Sequence, residues 1–363
     1  MRTLCLVVLG LLWATDAGGT APSGACPLSN VNLYNRSLGV PDFEREGQQC
    51  RLSTPLPPTN ISNAPPRRFH FTPVRKYPAV ENAATAVLVL LCGGSGPGGT
   101  QFALLKLRFD KWHRFFLSPH GVVLILVFDA PSLKPKIKAA LQLAPVRSGC
   151  SIPWAHIDGG YELMEHRQNG MVSYVLLGPV QLPTPQWVSD LGKTNTQMKS
   201  WKLRTFSYFY ILCNNWYYFD ALRLRVLDYF DFLFKVDNDV VFTKMMPSLG
   251  REMVEAGAWV MQTEQGNDPP AIAKLSKATM QQYLAAESRQ CGYPVIPVAA
   301  GRKFFERETT TWSGNFLGLW LGLLQSPELL HFGHDFTHQE RGQRMFRFRW
   351  TDQQYWPKAV GLA

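Results

Sequence analysis

Two carboxylates, Asp237 and Asp239, stand one residue apart directly after an apolar run. Residues 232–236 of that run carry a single charge, Lys235, and are otherwise apolar on both faces, which is typical of a buried strand in a parallel sheet. Ligands of open α/β sheets bind beyond the carboxyl ends of the strands, and Mg²⁺ or Mn²⁺ is commonly shared between one or two carboxylates and substrate phosphates. The spacing therefore favours a metal–diphosphate site, with simple capping of the turn by both carboxylates as the alternative.

The composition of the whole chain indicates a globular protein with an anionic partner. The sequence has 363 residues, of which 46% are hydrophobic and 18% charged, so a large core can form. Lys and Arg exceed Asp and Glu by 37 − 27 = 10, a surplus that suits a nucleotide diphosphate, a nucleic acid or a membrane surface. We find no Lys/Arg-rich tract and no nucleic-acid motif, so nucleic acid is the least favoured partner.

The first residues have the pattern of a targeting segment. A basic start at Arg2 precedes an apolar run, residues 4–13, and small residues near position 17 suit a cleavage site. The run is well short of the ~20 residues of a spanning helix. We predict a secretory signal peptide over residues 1–17, with a short signal anchor as the alternative. Sequons at Asn35 and Asn60 agree with a Golgi or ER lumen, or with secretion.

Cysteine usage permits disulfides. Cys5 lies in the predicted signal, which leaves an even number of cysteines in an oxidising compartment. Cys26 and Cys50 flank a loop-rich segment and are the favoured pair, whereas Cys92 and Cys213 fall in apolar patterns and are interpreted as buried thiols. The sequence lacks CxxC, which disfavours a thiolate zinc site.

Strands and helices must alternate to position the aspartates. Residues 18–80 are rich in Pro, Ser and Asn, which indicates a stem or an arm. From residue 81 onwards the pattern predicts βαβ units and a mostly parallel sheet, an α/β fold. The predicted strands are 83–92, 121–128, 171–177, 231–236 and 258–262. The predicted helices are 102–116, 134–143, 196–227, 247–256, 275–289 and the segment after Phe316; a break near residues 213–215 is an alternative for the long helix 196–227. The glycine-rich residues 93–99 are either a plain loop or a phosphate-binding loop.

Several motifs carry a distant resemblance from about residue 88 to the end. Residues 198–210, with Arg204 and Ser207, are similar to an R-x-x-S segment, and residues 234–240 stand where a known family has W-R-V-E-P-D-V. Residues 107–109 and 123–129 are similar to its arginine–phenylalanine helix end and second strand; residues 312–316 and 349–352 resemble its W-S-N-F and R-W-G-D. The chain thus resembles the GT-A glycosyltransferases, and within them the fungal Golgi α-1,2-mannosyltransferases.

The resemblance implies a GT-A-like α/β fold and a hexosyltransferase. A Rossmann-type nucleotide half would span about 81–245 and a smaller mixed acceptor half about 246–363. The enzyme would transfer a hexose, with mannose as one candidate, from a nucleotide sugar to a glycan or glycoprotein acceptor. Transfer would retain the anomeric configuration and depend on Mn²⁺ or Mg²⁺.

The resemblance also implies roles for individual residues. Asp239 would be a direct, catalytically required metal ligand, and Asp237 would bind the metal or the ribose. Asp352 would orient or deprotonate the acceptor hydroxyl, and Arg204 would pair with phosphate. The wider set is Asn238 and Ser207 on the nucleotide side, and Trp312, Asn315, Trp350 and Gln353 on the sugar or acceptor side. Independently of the resemblance, His334 or His338 could be a third metal ligand, because imidazole suits Mn²⁺. Ordinary core packing of the tryptophans and solvent exposure of Arg204 and the histidines remain the alternatives.

Two positions depart from the family pattern. Leu317 stands where the family has a Glu proposed as a nucleophile, and Trp356 stands where it has a metal-binding His. Without that nucleophile, we predict a same-face mechanism in which the leaving phosphate helps to deprotonate the acceptor. The same departures favour a competing class, a catalytically inactive carbohydrate-binding protein of this fold. A phosphodiester hydrolase is a third reading, but the sequence lacks the His-rich clusters of two-metal chemistry.

Overall fold

The computed structural model describes the central part of the chain and short segments elsewhere. The described residues are 4–5, 76–91, 98–146, 161–182, 212–214, 216–217, 219–262, 265–267, 310–312, 315–326 and 329–330, together with 333, 336, 355 and 356. Among them, no helix combines the length and the hydropathy that crossing a bilayer would require.

One nine-stranded sheet organises the described residues. The strands in chain order are β1 (Leu4–Cys5), β2 (Thr85–Leu91), β3 (Val123–Phe128), β4 (Ala144–Pro145), β5 (Glu162–Gln168), β6 (Met171–Pro179), β7 (Phe232–Val236), β8 (Val260–Gln262) and β11 (Phe316–Trp320). Their order across the sheet is β1-β8-β11-β7-β2-β3-β6-β5-β4. A separate antiparallel pair joins β9 (Gln265–Asn267) to β10 (Thr310–Trp312).

The centre of the sheet is parallel, as the sequence predicts. Strands β7, β2, β3 and β6 pair in parallel in that order. Strands β2, β3 and β7 consist almost wholly of buried residues, because helices and irregular segments cover both faces of such a sheet. The predicted strands at 83–92, 121–128, 171–177, 231–236 and 258–262 are thus confirmed, within a few residues at their ends.

Antiparallel strands flank this centre, and one of them corrects a sequence prediction. Residues after Phe316 were expected to be helical, but Phe316–Trp320 is β11, which runs antiparallel between β7 and β8. Only Leu321–Leu324 is helical, as the short helix α4. A buried strand lacks polar alternation, so a short apolar run of this kind cannot be told from a buried helix by periodicity alone.

Aromatic packing covers the face of the sheet that carries Phe234. Helix α1 (Gly98–Trp112) continues into a π-helical turn, His113–Leu117. Phe116 of that turn contacts the rings of Phe234, Phe242 and Phe316 with centroid separations of 6.5, 4.9 and 6.5 Å. The predicted helix 102–116 is therefore confirmed, although it begins at Gly98, inside the glycine-rich stretch. Two further helices agree with prediction: α2 (Leu133–Ala140) and α3 (Leu249–Ala256).

The opposite side of β7 is covered by residues 212–230, where a long helix was predicted. The described part of that segment is helical at residues 212–214 and at Trp216, but further along it consists of short 3₁₀ helices at Ala221–Arg223 and Arg225–Tyr229 instead of one long helix. The helical pattern is interrupted at Leu224, whose backbone is extended (φ −64°, ψ 117°) between the two 3₁₀ helices. Cys213 is disulfide-bonded, which corrects its interpretation as a buried thiol.

Strand β5 was missed by sequence reasoning. It forms a hairpin with β6 through Asn169 and Gly170, both at positive φ (51° and 78°), which is the Asn-Gly signature of a two-residue turn. Three charged residues and a histidine within Glu162–Arg167 conceal the strand, because they remove the alternation of apolar and polar residues that marks a strand in the sequence. The short strand β1 falls within the predicted signal segment and pairs with β8; the signal peptide and the domain boundaries remain predictions.

Candidate functional site

The order of the parallel strands creates a crevice between β2 and β7. From β2 the chain moves in one direction to β3 and β6, and then returns to β7 on the other side of β2. This reversal is a topological switch point, and ligands of open α/β sheets bind there, beyond the carboxyl ends of the strands. Strand β7 ends at Val236, so the next residues, 237–239, emerge at the crevice.

Residues 237–240 form a tight turn that presents the two carboxylates. The Val240 N–H donates to the Asp237 carbonyl at 3.0 Å, which closes a β-turn. Asp239 is exposed at the tip of the turn, while Asp237 and Asn238 are half-buried. The Asn238 Nδ2 is buried without a hydrogen-bond partner among the described residues. A buried amide donor without a partner is unfavourable, so a water molecule or a bound ligand is needed to satisfy it in this turn.

The Asp237 side chain is held by a lysine from its own strand. The Lys235 Nζ lies 3.0 Å from Asp237 Oδ1. The same ammonium lies 5.0 Å from the centre of the Tyr217 ring, within cation–π range. Tyr217 is fixed in turn, since its hydroxyl accepts a hydrogen bond from the Leu90 N–H at 2.8 Å. The two strands that border the crevice are thus linked through these side chains.

Strand β11 brings a second predicted site residue to the same place. The Asp237 N–H donates to the Asn315 carbonyl at 2.9 Å, just before β11 begins. Asn315 itself is exposed. Three residues earlier, Trp312 ends β10, whose register pairs it with Gln265 of β9. The structure therefore places Asn315 beside the acidic turn and Trp312 a short distance away along the chain.

The chain beyond the turn is anchored against α1. The Trp112 indole N–H donates to the Val240 carbonyl at 2.8 Å. Two residues later the Phe242 ring is buried, with its centroid 5.7 Å from that of Trp112. The hydrogen bond to Val240 and the packing of Phe242 limit the movement of the chain directly after the turn, as a rigidly presented site requires.

The donor set of the turn fits a hard divalent cation. Asp237 and Asp239 supply carboxylate oxygens within one turn, and Asp239 is open to solvent. No group of three or more His, Cys, Asp or Glu side chains suited to a metal occurs in the described part of the chain. Mg²⁺ and Mn²⁺ suit such a sparse set, because substrate phosphates and water complete their coordination.

Several predicted site residues lie outside the described residues: Arg204, Ser207, Trp350, Asp352, Gln353, His334 and His338. Their predicted roles are therefore neither confirmed nor contradicted, and the same holds for the glycine-rich residues 93–97. The two departures from the family pattern are described: Leu317 is buried in β11, opposite Lys235, and Trp356 is buried beside Tyr355.

Comparison with known proteins supports the fold. Neither the protein-family models nor the curated protein sequences compared with the chain match it. Solved structures do match: the mannosyltransferase Ktr4p from S. cerevisiae in complex with GDP superposes with a TM-score of 0.50 at 10% identity, over 82% of this chain and 72% of that one. Core-mannan synthase A from Aspergillus fumigatus in its Mn/GDP form gives 0.48 at 12% identity, over 84% and 77%.

The chain has a GT-A glycosyltransferase fold. The sequence-based prediction of fold class is thereby confirmed, as a distant structural likeness. Mouse xyloside xylosyltransferase 1 gives a lower TM-score of 0.37 at 10% identity, over 77% of this chain and 80% of that one.

Within the GT-A fold, Lys235 and Tyr217 are the site residues that sequence reasoning missed. For Lys235 the sequence did contain a signal, a lone charge in an apolar strand two residues before Asp237. Alternate residues of a strand share a face, so the two side chains can meet. Tyr217 had no signal, since its contact with Lys235 joins segments that are remote in sequence.

Proposed function

We propose that this protein is a glycosyltransferase that moves a hexose from a nucleotide sugar to a glycan or glycoprotein in the secretory pathway. The observation that carries the proposal is the acidic turn Asp237–Asp239, which stands at the carboxyl end of β7, at the switch point of a GT-A fold. A nucleotide diphosphate is the ligand that this position suits best.

We assign the residues of the turn different roles according to their exposure. Asp239, exposed at the tip, would be the direct ligand of Mn²⁺ or Mg²⁺, and Asp237 would reach the same ion or the ribose. A divalent cation bound there would neutralise the charge that develops on the departing diphosphate. Asn238 would donate its unpaired amide N–H to the nucleotide side.

The acceptor side is proposed to include Asn315, Trp312, Trp350, Gln353 and Asp352. Asn315 is exposed beside the turn, where an amide can bind a sugar hydroxyl. Leu317 cannot act as a nucleophile, and it is buried within the sheet. We therefore propose retention by a same-face route, in which Asp352 or the leaving phosphate takes the acceptor proton.

A luminal location agrees with the chain's chemistry. The Cys213 disulfide suits an oxidising compartment, since structural disulfides rarely persist in the cytosol. The apolar N-terminal run and the two sequons point the same way. We propose Golgi or ER residence, or secretion, with residues 1–17 as signal and 18–80 as a stem before a transferase domain over 81–363.

The direct test combines a donor panel with substitution of the turn. Purified protein would be assayed for transfer and hydrolysis with UDP- and GDP-sugars and Mn²⁺, alongside Asp239→Ala and Asp237→Ala. We expect Asp239→Ala to lower turnover at least about a hundredfold, and Asp237→Ala by about tenfold or more, in line with the loss of metal ligands and their supports. Unchanged turnover in both variants would contradict the proposed metal–diphosphate site.

A second candidate is a carbohydrate-binding protein that has kept the fold without the chemistry. It is favoured by Leu317 and Trp356, which are buried apolar side chains where the resembled family has a carboxylate and an imidazole. Calorimetry with GDP and UDP in the presence of Mn²⁺ separates the two. A transferase binds one of the nucleotides, whereas a domain that has lost its donor site binds neither.

A further inference from the structure

Lys235 is a buried charge in an apolar strand. The residue is 3% exposed. Its cross-strand partners are Leu88 on β2 and Leu317 on β11, both buried and apolar. Because an isolated buried ammonium is strongly unfavourable, the structure must supply it with a counter-charge and a polarisable surface.

Asp237 and Tyr217 supply these two contacts. Asp237 Oδ1 accepts the ammonium at 3.0 Å, and the Tyr217 ring lies 5.0 Å away. The Tyr217 hydroxyl is fixed by the Leu90 N–H at 2.8 Å, so the ring cannot swing without breaking that bond. The Tyr217 ring therefore contacts the Lys235 ammonium on one side, and Asp237 Oδ1 contacts it on another.

Stability alone does not account for this arrangement. Replacement of a buried ion pair by packed apolar groups is often neutral or stabilising. The Asp237 side chain is 34% exposed, so water could satisfy its carboxylate without a lysine. What the lysine adds is orientation, since a carboxylate with Oδ1 held at the end of a rigid strand directs Oδ2 to a fixed place.

We propose that Lys235, supported by Tyr217, is a positioning residue that presets the Asp237 carboxylate for the metal-bound diphosphate. The inference rests on the proposed function and deepens it. Lys235 itself is not expected to touch the ligand, because the residue is 3% exposed and its ammonium lies 3.0 Å from Asp237 Oδ1. A preset side chain binds more tightly, because less conformational freedom is lost when the ligand arrives.

Calorimetry on the full chain tests the proposal, with GDP and UDP as probes in the presence of Mn²⁺. We expect Lys235→Met to weaken the affinity by about tenfold, the lower end of effects measured for supports of metal ligands. Lys235→Arg keeps the charge and should retain the affinity within about threefold, since a guanidinium also pairs with carboxylate. Lys244→Met removes the same charge from an exposed position near the turn and should bind as the wild type does.

A double-mutant cycle shows whether Lys235 acts through Asp237. In an Asp237→Asn background, Lys235→Met should have no further effect on affinity, whereas independent losses that add would overturn the proposal. Thermal melts accompany each variant, and affinity should fall without a matching fall in Tm. If Lys235→Met is insoluble, Lys235→Gln takes its place with the same expected direction.

The outcomes separate this inference from the proposed function. A wild type that binds neither nucleotide contradicts the transferase proposal itself. A wild type that binds, with Lys235→Met and Lys235→Gln equally tight, overturns only the positioning role.

Discussion

The acidic turn shows how far identical side chains can differ in environment. Asp237 is half-buried, receives Lys235 on one oxygen and donates its own N–H to Asn315. Asp239, two residues later, is exposed at the tip. The family resemblance ranked Asp239 above Asp237 as the direct ligand, but the physical difference between their surroundings could not be predicted, because it comes from a lysine on the same strand and a carbonyl more than seventy residues away.

Outside the site, a buried histidine pair gives the molecule a pH-dependent element. His113 packs edge-on against His166 with ring centroids 4.6 Å apart, and its Nδ1 is 2.7 Å from the Ser173 hydroxyl. Burial lowers the pKa of His113, and the neighbouring His166 lowers it further, while Asp110 and the Gln168 backbone act weakly in the opposite direction. The neutral ring is the form that the folded state prefers.

We expect stability to fall as the pH drops below the ordinary histidine pKa of about 6.5. At such pH the unfolded chain binds a proton on His113, whereas the folded chain keeps the ring neutral. The free energy of unfolding, from urea melts between pH 7.5 and 5, should therefore decrease towards acid pH. The slope should reach up to about 1.4 kcal/mol per pH unit for one such proton.

Substitution of single histidines shows which residue causes the pH dependence of the free energy of unfolding. His113→Gln should flatten the pH dependence, while His120→Gln, at a partly exposed position on the same connection, should retain it. An unchanged slope in His113→Gln would remove this histidine as the cause.

At the scale of elements, β11 determines the geometry of the site. It pairs with β7 over five residues, from Phe316 opposite Val236 to Trp320 opposite Phe232. This register brings the Asn315 carbonyl to the Asp237 N–H. Gly318 permits the pairing, because a Cβ there would lie 2.3 Å from the Phe234 ring.

We expect Gly318→Ala to destabilise the protein by roughly 1–3 kcal/mol, the usual cost of overpacking a core. The affinity for nucleotide should fall as well, since β11 would move relative to the turn. Thermal melts and calorimetry measure the two effects. Leu319→Met, a volume-conserving change one residue along β11, is the matched control and should cost less than about 1.5 kcal/mol. Equal Tm values for the two variants would contradict the packing argument.

The elements also show which parts of the fold were predictable. Strands β2, β3 and β7 and helices α1, α2 and α3 follow from apolar runs and helical spacing, which are local signals. Strand β11 was predicted as helix because burial on both faces removes the alternation that marks a strand. Strand β5 was missed because its charged residues, such as Glu165 and Arg167, pair with one another within the strand. In both cases the strand is stabilised by its position in the sheet, which a short stretch of sequence does not reveal.

At the scale of the whole molecule, the disulfide of Cys213 makes the packing around the site depend on an oxidising environment, because a reducing one would break this bond. Cys213 lies four residues before Tyr217, in the segment that covers the Lys235 side of β7. Sequence reasoning allowed disulfides and favoured the pair Cys26–Cys50, which lies outside the described residues; it interpreted Cys213 as a thiol because connectivity depends on three-dimensional proximity.

We expect Cys213→Ser to lower the free energy of unfolding by roughly 2–4 kcal/mol, the usual contribution of a native disulfide. A thiol count under denaturing, non-reducing conditions provides the check. The variant should show one more free thiol than the wild type, because the former partner is released. One fewer thiol would mean that Cys213 had been free, and the expected loss of stability would then have no basis.

The antiparallel pair of β9 and β10 has a consequence for how such a protein diversifies. Residues 265–267 leave the region of β8, and residues 310–312 return beside them as an antiparallel pair before the chain enters β11. The two ends of residues 268–309 therefore meet at the antiparallel pair of β9 and β10. We expect insertions, deletions or exchanges between these ends to leave the register of β11 and the acidic turn unchanged, because the pair fixes where the segment leaves and rejoins the described fold. Under the proposed function, the pair would then be a grafting point at which sequence can be exchanged without altering the nucleotide side.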